Sequence, residues 1–213
     1  MNGSQFLLIA FFFSSLILAS GCTGRDGTAL PASQTPARMA LESLVLTQSE
    51  VPQNFTLVES RMKNSTEVSK LARDLGWEQG YVRRFTRLIN GENQPTEILQ
   101  TITRYPAQNN AGIAELIEQQ ERAGSNMTFS NLSSPALGSY SRAFSGTVNT
   151  FVVLESDDGN PLDSNSVGRT VQQDFIEIIF TKGDILEVFR MTGPDSDYST
   201  LASLAQKAYN KIP

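Results

Sequence analysis

Two segments near the C-terminus, "DFIEIIF" and "ILEVFRM", constrain the fold of this 213-residue chain more than any other feature. Both are rich in β-branched and aromatic residues, a composition typical of strands. They are joined through "TKGD", in which Gly183 and Asp184 fit a two-residue type II′ turn with glycine at its first central position. The sequence therefore predicts an antiparallel hairpin, and a sheet that contains it.

Further strand signals precede this hairpin. The segments "YVRRFTRLI" and "TEILQTITRY" flank the turn signal "NGENQP" and predict a second antiparallel pair. An earlier strand is expected from about Asn54, after a turn around Pro52. The signals in "MTFSNL", "SYSRAFSG" and "NTFVVLE" are shorter and weaker. Because strands follow one another with few helices between them, the pattern favours a largely antiparallel sheet.

Three segments show helical periodicity: "NSTEVSKLARDLG", "NNAGIAELIEQQERAG" and "DYSTLASLAQKAYNKI". The predicted caps are Ser65 or Thr66 for the first and Asp195 or Asp197 for the third, and the predicted stops are Gly76 and Gly124. The residues expected to face the sheet are Val68, Leu71, Ala72 and Leu75, then Ile113, Leu116 and Ile117, then Tyr198, Leu201, Ala202, Ala205, Ala208 and Tyr209. The predicted fold class is therefore α+β, with a largely antiparallel sheet and about three flanking helices.

The N-terminus carries a short apolar run, "FLLIAFFFSSLIL", followed by small residues that lead into Cys22. The run is shorter than the roughly 20 residues that span a bilayer, and it is typical of a secretory signal peptide. The stretch "LILASGC" resembles the lipobox of prokaryotic lipoproteins. That resemblance implies cleavage before Cys22 and a diacylglyceryl group on its sulfur. An ordinary secretory signal and an uncleaved anchor are the alternatives.

The residues after Cys22, "TGRDGTALPASQTPA", are rich in Gly, Ser, Thr, Ala and Pro and lack apolar periodicity. Such a composition does not bury enough apolar surface to fold. A flexible tether of about 18 residues has an r.m.s. span of roughly 25 Å. We therefore expect a signal peptide over residues 1–21, a tether over 22–40 and one α+β domain over 41–213.

A second resemblance covers most of the expected domain. The order of "SEVPQNFTLVES", "LGSYSRAFSG", "FIEIIFTKGDILEVFRMTG" and a terminal helix is similar to that of uncharacterised prokaryotic lipoproteins, some of which share a PsbP-like α/β sandwich. The resemblance implies a fold and an extracytoplasmic address, and it carries no catalytic motif. A cystatin-like domain, or another in which helices pack on a sheet, is the alternative.

Composition excludes several kinds of chemistry. The chain has no histidine and a single cysteine, which removes histidine-based nucleophile activation, histidine metal sites, cysteine-rich metal sites and internal disulfides. A net charge of −5 argues against nucleic-acid binding, which needs clustered Lys and Arg. We therefore expect no cofactor, no metal and no nucleic-acid partner.

Two groups of residues are weak candidates for binding sites. The loop 156–166 contains several oxygen ligands suited to calcium, but their spacing does not match an EF-hand, so a solvated loop is the favoured interpretation. The loop residues are Asp157, Asp158, Asn160, Asp163 and Asn165. Arg83, Arg84, Arg87 and Arg104 lie on neighbouring predicted strands and are candidates for contact with an anion. Pairing of these arginines with surface carboxylates is favoured, because Arg83 and Arg84 point to opposite faces of a strand.

The remaining candidates are the sequons and the single tryptophan. Asn54, Asn64, Asn126 and Asn131 each begin an N-x-[ST] sequon, a weak signal for glycosylation in an exported chain. Trp77 follows the predicted helix stop, where a core role is favoured over contact with a sugar or another ligand.

These observations predict a lipid-anchored extracytoplasmic protein without enzymatic activity. It would bind a small ligand or an unknown envelope protein, and it would contact the membrane through the lipid on Cys22. One alternative is a structural accessory subunit of a membrane complex. A second is an enzyme based on carboxylates or on a Ser-Lys pair.

Overall fold

The computed structural model describes residues 39–88, 95–124, 128–153 and 168–213. The strands are β1 Thr56–Met62, β2 Gln79–Arg87, β3 Thr96–Arg104, β4 Thr128–Asn131, β5 Tyr140–Val153, β6 Gly168–Lys182 and β7 Ile185–Thr192. The helices are α1 Leu41–Leu44, α2 Lys70–Asp74, α3 Asn110–Gly124 and α4 Tyr198–Lys211. All seven strands form one sheet in the order β1-β2-β3-β7-β6-β5-β4, and every neighbouring pair is antiparallel. The expected α+β class is confirmed.

The predicted C-terminal hairpin is present. Lys182 pairs with Ile185, so that only Gly183 and Asp184 lie in the turn. Gly183 has a φ of 58°, and no described residue other than glycine has a positive φ. A positive φ at the first central residue alone defines a type II′ turn, whose twist matches that of the strands it joins. The predicted turn type is therefore confirmed.

The sheet separates two cores, because side chains alternate between its faces. We call its sides the α4 face and the α3 face. Along β7, Ile185 and Phe189 point to the α4 face, where they pack with α4 and with residues 41–46. Leu186 and Val188 point to the α3 face, where they pack with α2 and α3. Each face of the sheet thus has its own helices and its own apolar core.

The first predicted helix differs from expectation in its start. A 3-10 turn at residues 65–67 comes first, with Asn64 as its cap. The helix α2 begins only after Ser69, whose hydroxyl accepts a hydrogen bond from Ala72 N. The predicted caps Ser65 and Thr66 were wrong, because the side chains of Asn64 and Ser69 satisfy the free N–H groups of two separate turns. The predicted stop is correct, since Gly76 follows α2 with a φ of 90°.

Helices α3 and α4 show two smaller differences. Leu116 was expected to face the sheet, but its side chain is 43% exposed. The reason is that α3 contacts the core through Ile113 and Ala114, a face turned away from Leu116. In α4, the cap is Asp197, which accepts hydrogen bonds from the main chain of residues 199 and 200. The buried stripe of α4 also includes Leu204, which was not predicted.

The weak signals "SYSRAFSG" and "NTFVVLE" were expected to form separate strands, but residues 140–153 of these segments form one strand, β5. Gly146 lies where the two segments join. A Cβ at this position would lie 2.2 Å from Thr128 O and 2.8 Å from the Phe175 ring, so the strand passes too close to its neighbours for any side chain. The glycine that interrupts the sequence pattern therefore permits packing and does not end the strand.

Candidate functional site

A groove lies on the α3 face, between the helices α2 and α3 and the strands β3 and β7. Its larger part is a cavity of about 350 Å³, which includes Trp77 and Tyr105 in its lining. A second cavity of about 310 Å³ adjoins it towards the start of β3. Leu99 and Arg190 line both cavities, so the two adjoin each other, and together they are called the groove. Ligand sites in proteins are concavities of this size, largely apolar with a few polar groups.

Strand alternation builds the floor of this groove. In β3, Leu99, Thr101 and Thr103 line the groove, while the intervening Ile98 and Ile102 are fully buried in the core of the α4 face. Ile98 and Ile102 fix the register of β3 in the sheet. A slip by one residue would place these isoleucines in the groove and the threonines in the core. The floor therefore presents hydroxyl groups at regular spacing beside apolar side chains.

A buried ion pair lies in the floor. Glu177 of β6 and Arg190 of β7 are direct cross-strand partners. The Nε and Nη2 atoms of Arg190 each lie 2.5 Å from Oε2 of Glu177, whose side chain is fully buried. The guanidinium also lies 5.3 Å from the ring centre of Phe175, in cation–π geometry. The two opposite charges offset each other, so this part of the floor contributes little net charge to the groove.

Three hydroxyl groups in the groove have no hydrogen-bond partner among the described residues. The side chains of Thr101, Thr103 and Tyr105 make no hydrogen bond to any residue of the described ranges, although all three line the cavity. Tyr105 is only 2% exposed, and burial raises the pKa of its hydroxyl to about 12. The three oxygen atoms are not fully enclosed, so each is open to the cavity. These hydroxyls are therefore available to water or to a bound molecule.

Trp77 forms part of the wall of the groove. The positive φ of Gly76 turns the chain at the end of α2, and Trp77 N then donates a hydrogen bond of 3.0 Å to Ala72 O. The indole is half-buried, packs against the core of the α3 face and lines the larger cavity. The favoured core role is present, and the same side chain also faces the groove.

A second polar cluster lies on the α4 face, away from the groove. The carboxyl of Glu187 is fully buried and accepts a hydrogen bond from Gln100 Nε2. The amide oxygen of Gln100 accepts a hydrogen bond of 2.9 Å from Leu46 N. Burial raises the pKa of Glu187 to about 8, against the weaker lowering effects of Gln100 and Lys211. This cluster holds the segment before β1 against the sheet.

The four arginines of the predicted anion contact all have partners in the protein. Arg84 pairs with Glu59 at 3.1 Å, Arg87 pairs with Asp195 at 2.7 Å and Arg104 pairs with Asp184 at 2.9 Å. Arg83 donates to Ser60 and to the main chain of Leu46, on the opposite face from Arg84. Arg84, Arg87 and Arg104 thus pair with carboxylates, as favoured, and Arg83 instead bonds to a hydroxyl and a main-chain carbonyl. Contact with an anion stays a prediction.

The sequons lie in exposed positions where they are described. Asn54 is an exposed turn residue. Asn64 is exposed, and its side-chain oxygen accepts a hydrogen bond from Thr66 N. Asn131 is exposed, and its side-chain oxygen accepts a hydrogen bond of 2.9 Å from Arg122. Four expected features lie outside the described residues and stay predictions: Asn126, the loop 156–166, residues 90–94 of the turn "NGENQP" and the lipidation site Cys22.

Sequence reasoning did not identify the groove. Its signal was the pattern of β3, in which Leu99, Thr101 and Thr103 alternate with Ile98 and Ile102. This pattern predicts one face that is less apolar than the other. It does not indicate that α2 and α3 border that face and leave a cavity above it, because the packing of helices on a sheet is a tertiary feature.

Two classes of feature are absent from the described residues. No group of three or more acidic or cysteine side chains there could hold a metal ion. No helix within these ranges is long and apolar enough to cross a membrane.

The fold has a counterpart among solved structures. The chain is similar to the extracellular domain of PknH from Mycobacterium tuberculosis, with a TM-score of 0.52 over 79% of this chain and 92% of that chain. The two sequences are 10% identical, so the similarity shows a common fold. No protein-family model matches the chain, and no curated protein matches it.

Proposed function

We propose that this protein is a binding domain without enzymatic activity, which takes a small ligand in the groove on the α3 face. We further propose that a lipid on Cys22 attaches it to the outer side of a membrane. The observation that carries the binding role is the set of hydroxyls of Thr101, Thr103 and Tyr105, which have no partner among the described residues and lie in a groove lined by both apolar and charged side chains. A concave, mostly apolar site with a few convergent polar groups is the usual form of a ligand site.

The extracytoplasmic location is supported by two separate observations. The leader resembles a lipoprotein signal, and the fold is similar to that of the extracellular domain of PknH. The tether predicted over residues 22–40 would let the domain reach ligands in the space next to the membrane. The binding role and the membrane anchor are compatible, because the groove is built wholly from residues of the folded domain.

The state of the carboxylates supports a role without catalysis. An acid or base in a groove needs a pKa shifted towards neutrality. At the rim, Glu67 accepts hydrogen bonds from Arg61 and from Asn64 N, which lower the pKa of Glu67. On the floor, Glu177 is held by Arg190. The carboxyl with the raised pKa, Glu187, lies in the core of the α4 face and lines neither cavity of the groove.

Ligand binding can be tested by methyl NMR of the full-length protein with a library of small fragments. The methyl groups of Leu99, Leu186 and Val188 line the groove and report on its occupancy. The methyl groups of Leu201 and Leu204, which α4 packs against the opposite face of the sheet, serve as internal controls. We expect a class of fragments to shift the first set of methyl signals only. If no fragment shifts the groove methyl signals selectively, the proposed ligand site is wrong.

The membrane anchor can be tested by the intact mass of the protein purified from membranes, beside its Cys22→Ala variant. We expect the native chain to begin at residue 22 and to carry added lipid mass. We expect the variant to leave the membrane fraction with its thermal unfolding unchanged, because the tether separates the anchor from the domain. An unmodified native chain, or one that retains residues 1–21, would contradict the anchor.

A further inference from the structure

We propose that the ligand of the groove is a neutral oligosaccharide. This inference rests on the proposed function, since it names the chemical class of molecule that the same groove takes. Four features carry it: the balance of charge in the groove, the hydroxyl groups of its floor, its aromatic wall and the kind of strand that forms the floor.

Most charged groups that line the groove are paired with an opposite charge. Glu177 is paired with Arg190 within the floor. Glu67 and Glu97 lie at opposite ends of the groove, and they pair with Arg61 at 2.8 Å and with Arg84 at 3.6 Å. One lining cation at the rim, Lys63, has no ion pair among the described residues. A groove with this charge balance is better matched to a neutral molecule than to a strongly charged one.

The hydroxyl groups of Thr101, Thr103 and Tyr105 select for a polar ligand. Each hydroxyl can donate one hydrogen bond and accept others, which matches the hydroxyl groups of a sugar. An acyl chain in the same place would leave these groups unpaired and without water. The loss of one such hydrogen bond in a desolvated site weakens binding roughly tenfold. An apolar ligand is therefore disfavoured on this floor, despite the apolar side chains beside it.

Trp77 gives the groove an aromatic wall. The face of an indole ring carries partial negative charge, and it attracts the weakly positive C–H groups on the face of a sugar ring. The indole N–H makes no hydrogen bond to the described residues. An aromatic wall beside a hydroxyl-lined floor matches a molecule with one apolar face and a polar edge.

The floor of the groove disfavours a peptide. Strands β3, β7 and β6 are internal to the sheet, and each is paired on both sides. Their main-chain N–H and C=O groups are used in these ladders, whereas an extended peptide is usually bound by adding a strand to a free sheet edge. The floor of the groove can therefore bind a ligand only through side chains. Side-chain hydroxyls and amides can form with a sugar the hydrogen bonds that they otherwise form with water.

The length of the groove favours more than one sugar unit. Its floor follows β3 from Glu97 to Thr103. At roughly 3.3 Å per residue, this distance is about 20 Å. The two adjoining cavities extend along that length, with Arg190 between them. An elongated ligand would fill both cavities, while a single sugar ring would fill only one.

Trp77 makes the test direct, because it is the single tryptophan of the chain and it lines the groove. Its fluorescence is followed while chitotriose, cellotriose or maltotriose is added to the full-length protein, purified in a detergent without a sugar head group. Decanoate and trialanine are the comparison ligands. Methyl NMR of Leu99 and Val188 is recorded with the same ligands, so that binding without a change in fluorescence is also detected.

We expect at least one trisaccharide to bind saturably at concentrations below about 10 mM and to shift the groove methyl signals. Thr101→Val removes one hydroxyl at nearly constant volume and should weaken that binding roughly tenfold. Thr86→Val, on the neighbouring strand β2 and outside both cavities, is the matched control and should leave the binding unchanged.

The remaining outcomes separate this inference from the proposed function. If fragments, decanoate or trialanine bind in the groove and no trisaccharide does, the oligosaccharide is wrong and the ligand site stands. If neither fragments nor trisaccharides shift the groove methyl signals, both are wrong. A trisaccharide that binds Thr101→Val as well as the native protein would also overturn the inference, because the hydroxyl floor would then have no part in recognition.

Discussion

The stability of this fold should fall as the pH rises through neutrality, because a carboxyl group is buried on the α4 face. Glu187 is fully buried, and its pKa is raised from 4.5 to about 8, mainly by burial. In the unfolded chain the group ionises near the lower value, whereas in the folded protein it holds its proton up to the higher one. The folded state therefore binds more protons over this interval, and its stability decreases with pH.

The size of this effect follows from the difference between the two pKa values. One pKa unit corresponds to about 1.4 kcal/mol of the free energy of unfolding. The stabilising contribution of the protonated Glu187 to that free energy is fully present below about pH 4.5. It declines by about 5 kcal/mol in total as the pH rises to about 8, and it is constant above that pH. By pH 7, about 3 kcal/mol of it is lost.

The variant Glu187→Gln isolates this contribution. Glutamine keeps the shape of the neutral acid and the acceptor for the Gln100 amide, but it does not ionise. Urea unfolding of both proteins is measured at several pH values between about 4 and 9. The stability of the variant relative to the native protein should rise by about 5 kcal/mol over that range. Glu42→Gln, a change at an exposed carboxylate on α1, controls for the loss of one negative charge.

If the stability curves of native protein and Glu187→Gln run parallel between about pH 4 and pH 9, the reasoning is refuted. Parallel curves would mean that the burial of Glu187 does not favour its neutral form. They would also mean that water or another cation reaches the carboxyl in solution.

Two further changes test particular parts of the fold. Asp197 caps α4, and its carboxylate accepts a hydrogen bond of 2.7 Å from Thr200 N. Asp197→Ala should lower the free energy of unfolding, measured in urea, by about 1 kcal/mol. Asp197→Ser should restore most of that stability. Gly138→Ala should cost about 3 kcal/mol or more, because its φ is 66° and a Cβ would lie 1.7 Å from Thr181 O; a change below about 1 kcal/mol would show that this close approach is absent in solution.

The parts of the fold that could be predicted from sequence are those fixed by neighbouring residues. The β6–β7 hairpin was predicted because strand composition and turn chemistry agree around Gly183. The N-terminus of α2 was not predicted correctly, because several neighbouring polar residues could act as caps. In the fold, Asn64 and Ser69 take that role. The continuity of β5 depends on the close approach of other strands at Gly146, which local sequence does not encode.

The candidate site was less predictable than the fold, because it depends on where a helix stops covering the sheet. Thr101 and Thr103 are ordinary residues for a half-exposed strand. They become candidates only when Trp77 and α3 are seen to enclose the same space. Similarly, the sequence places Glu187 on one face with Ile185 and Phe189, but it does not show whether a partner satisfies the carboxyl.

The polar groups on the two faces of the sheet differ in how far they are enclosed. On the α4 face, Glu187, Gln100 and Leu46 form a chain of hydrogen bonds that fixes the segment entering the domain. That cluster is fully enclosed: Oε1 of Glu187 is bonded to Gln100, and Oε2 has no partner among the described residues. On the α3 face, the hydroxyls of Thr101, Thr103 and Tyr105 line a cavity and have no partner among the described residues.

This difference determines which face should carry function. Hydroxyls that line a cavity and have no partner among the described residues can pair with a ligand, whereas the enclosed carboxyl of Glu187 cannot. The segment that enters the domain packs on the α4 face, where Lys211 donates to Val45 O at 2.7 Å. The described residues before β1 therefore enter the domain on the side opposite the groove.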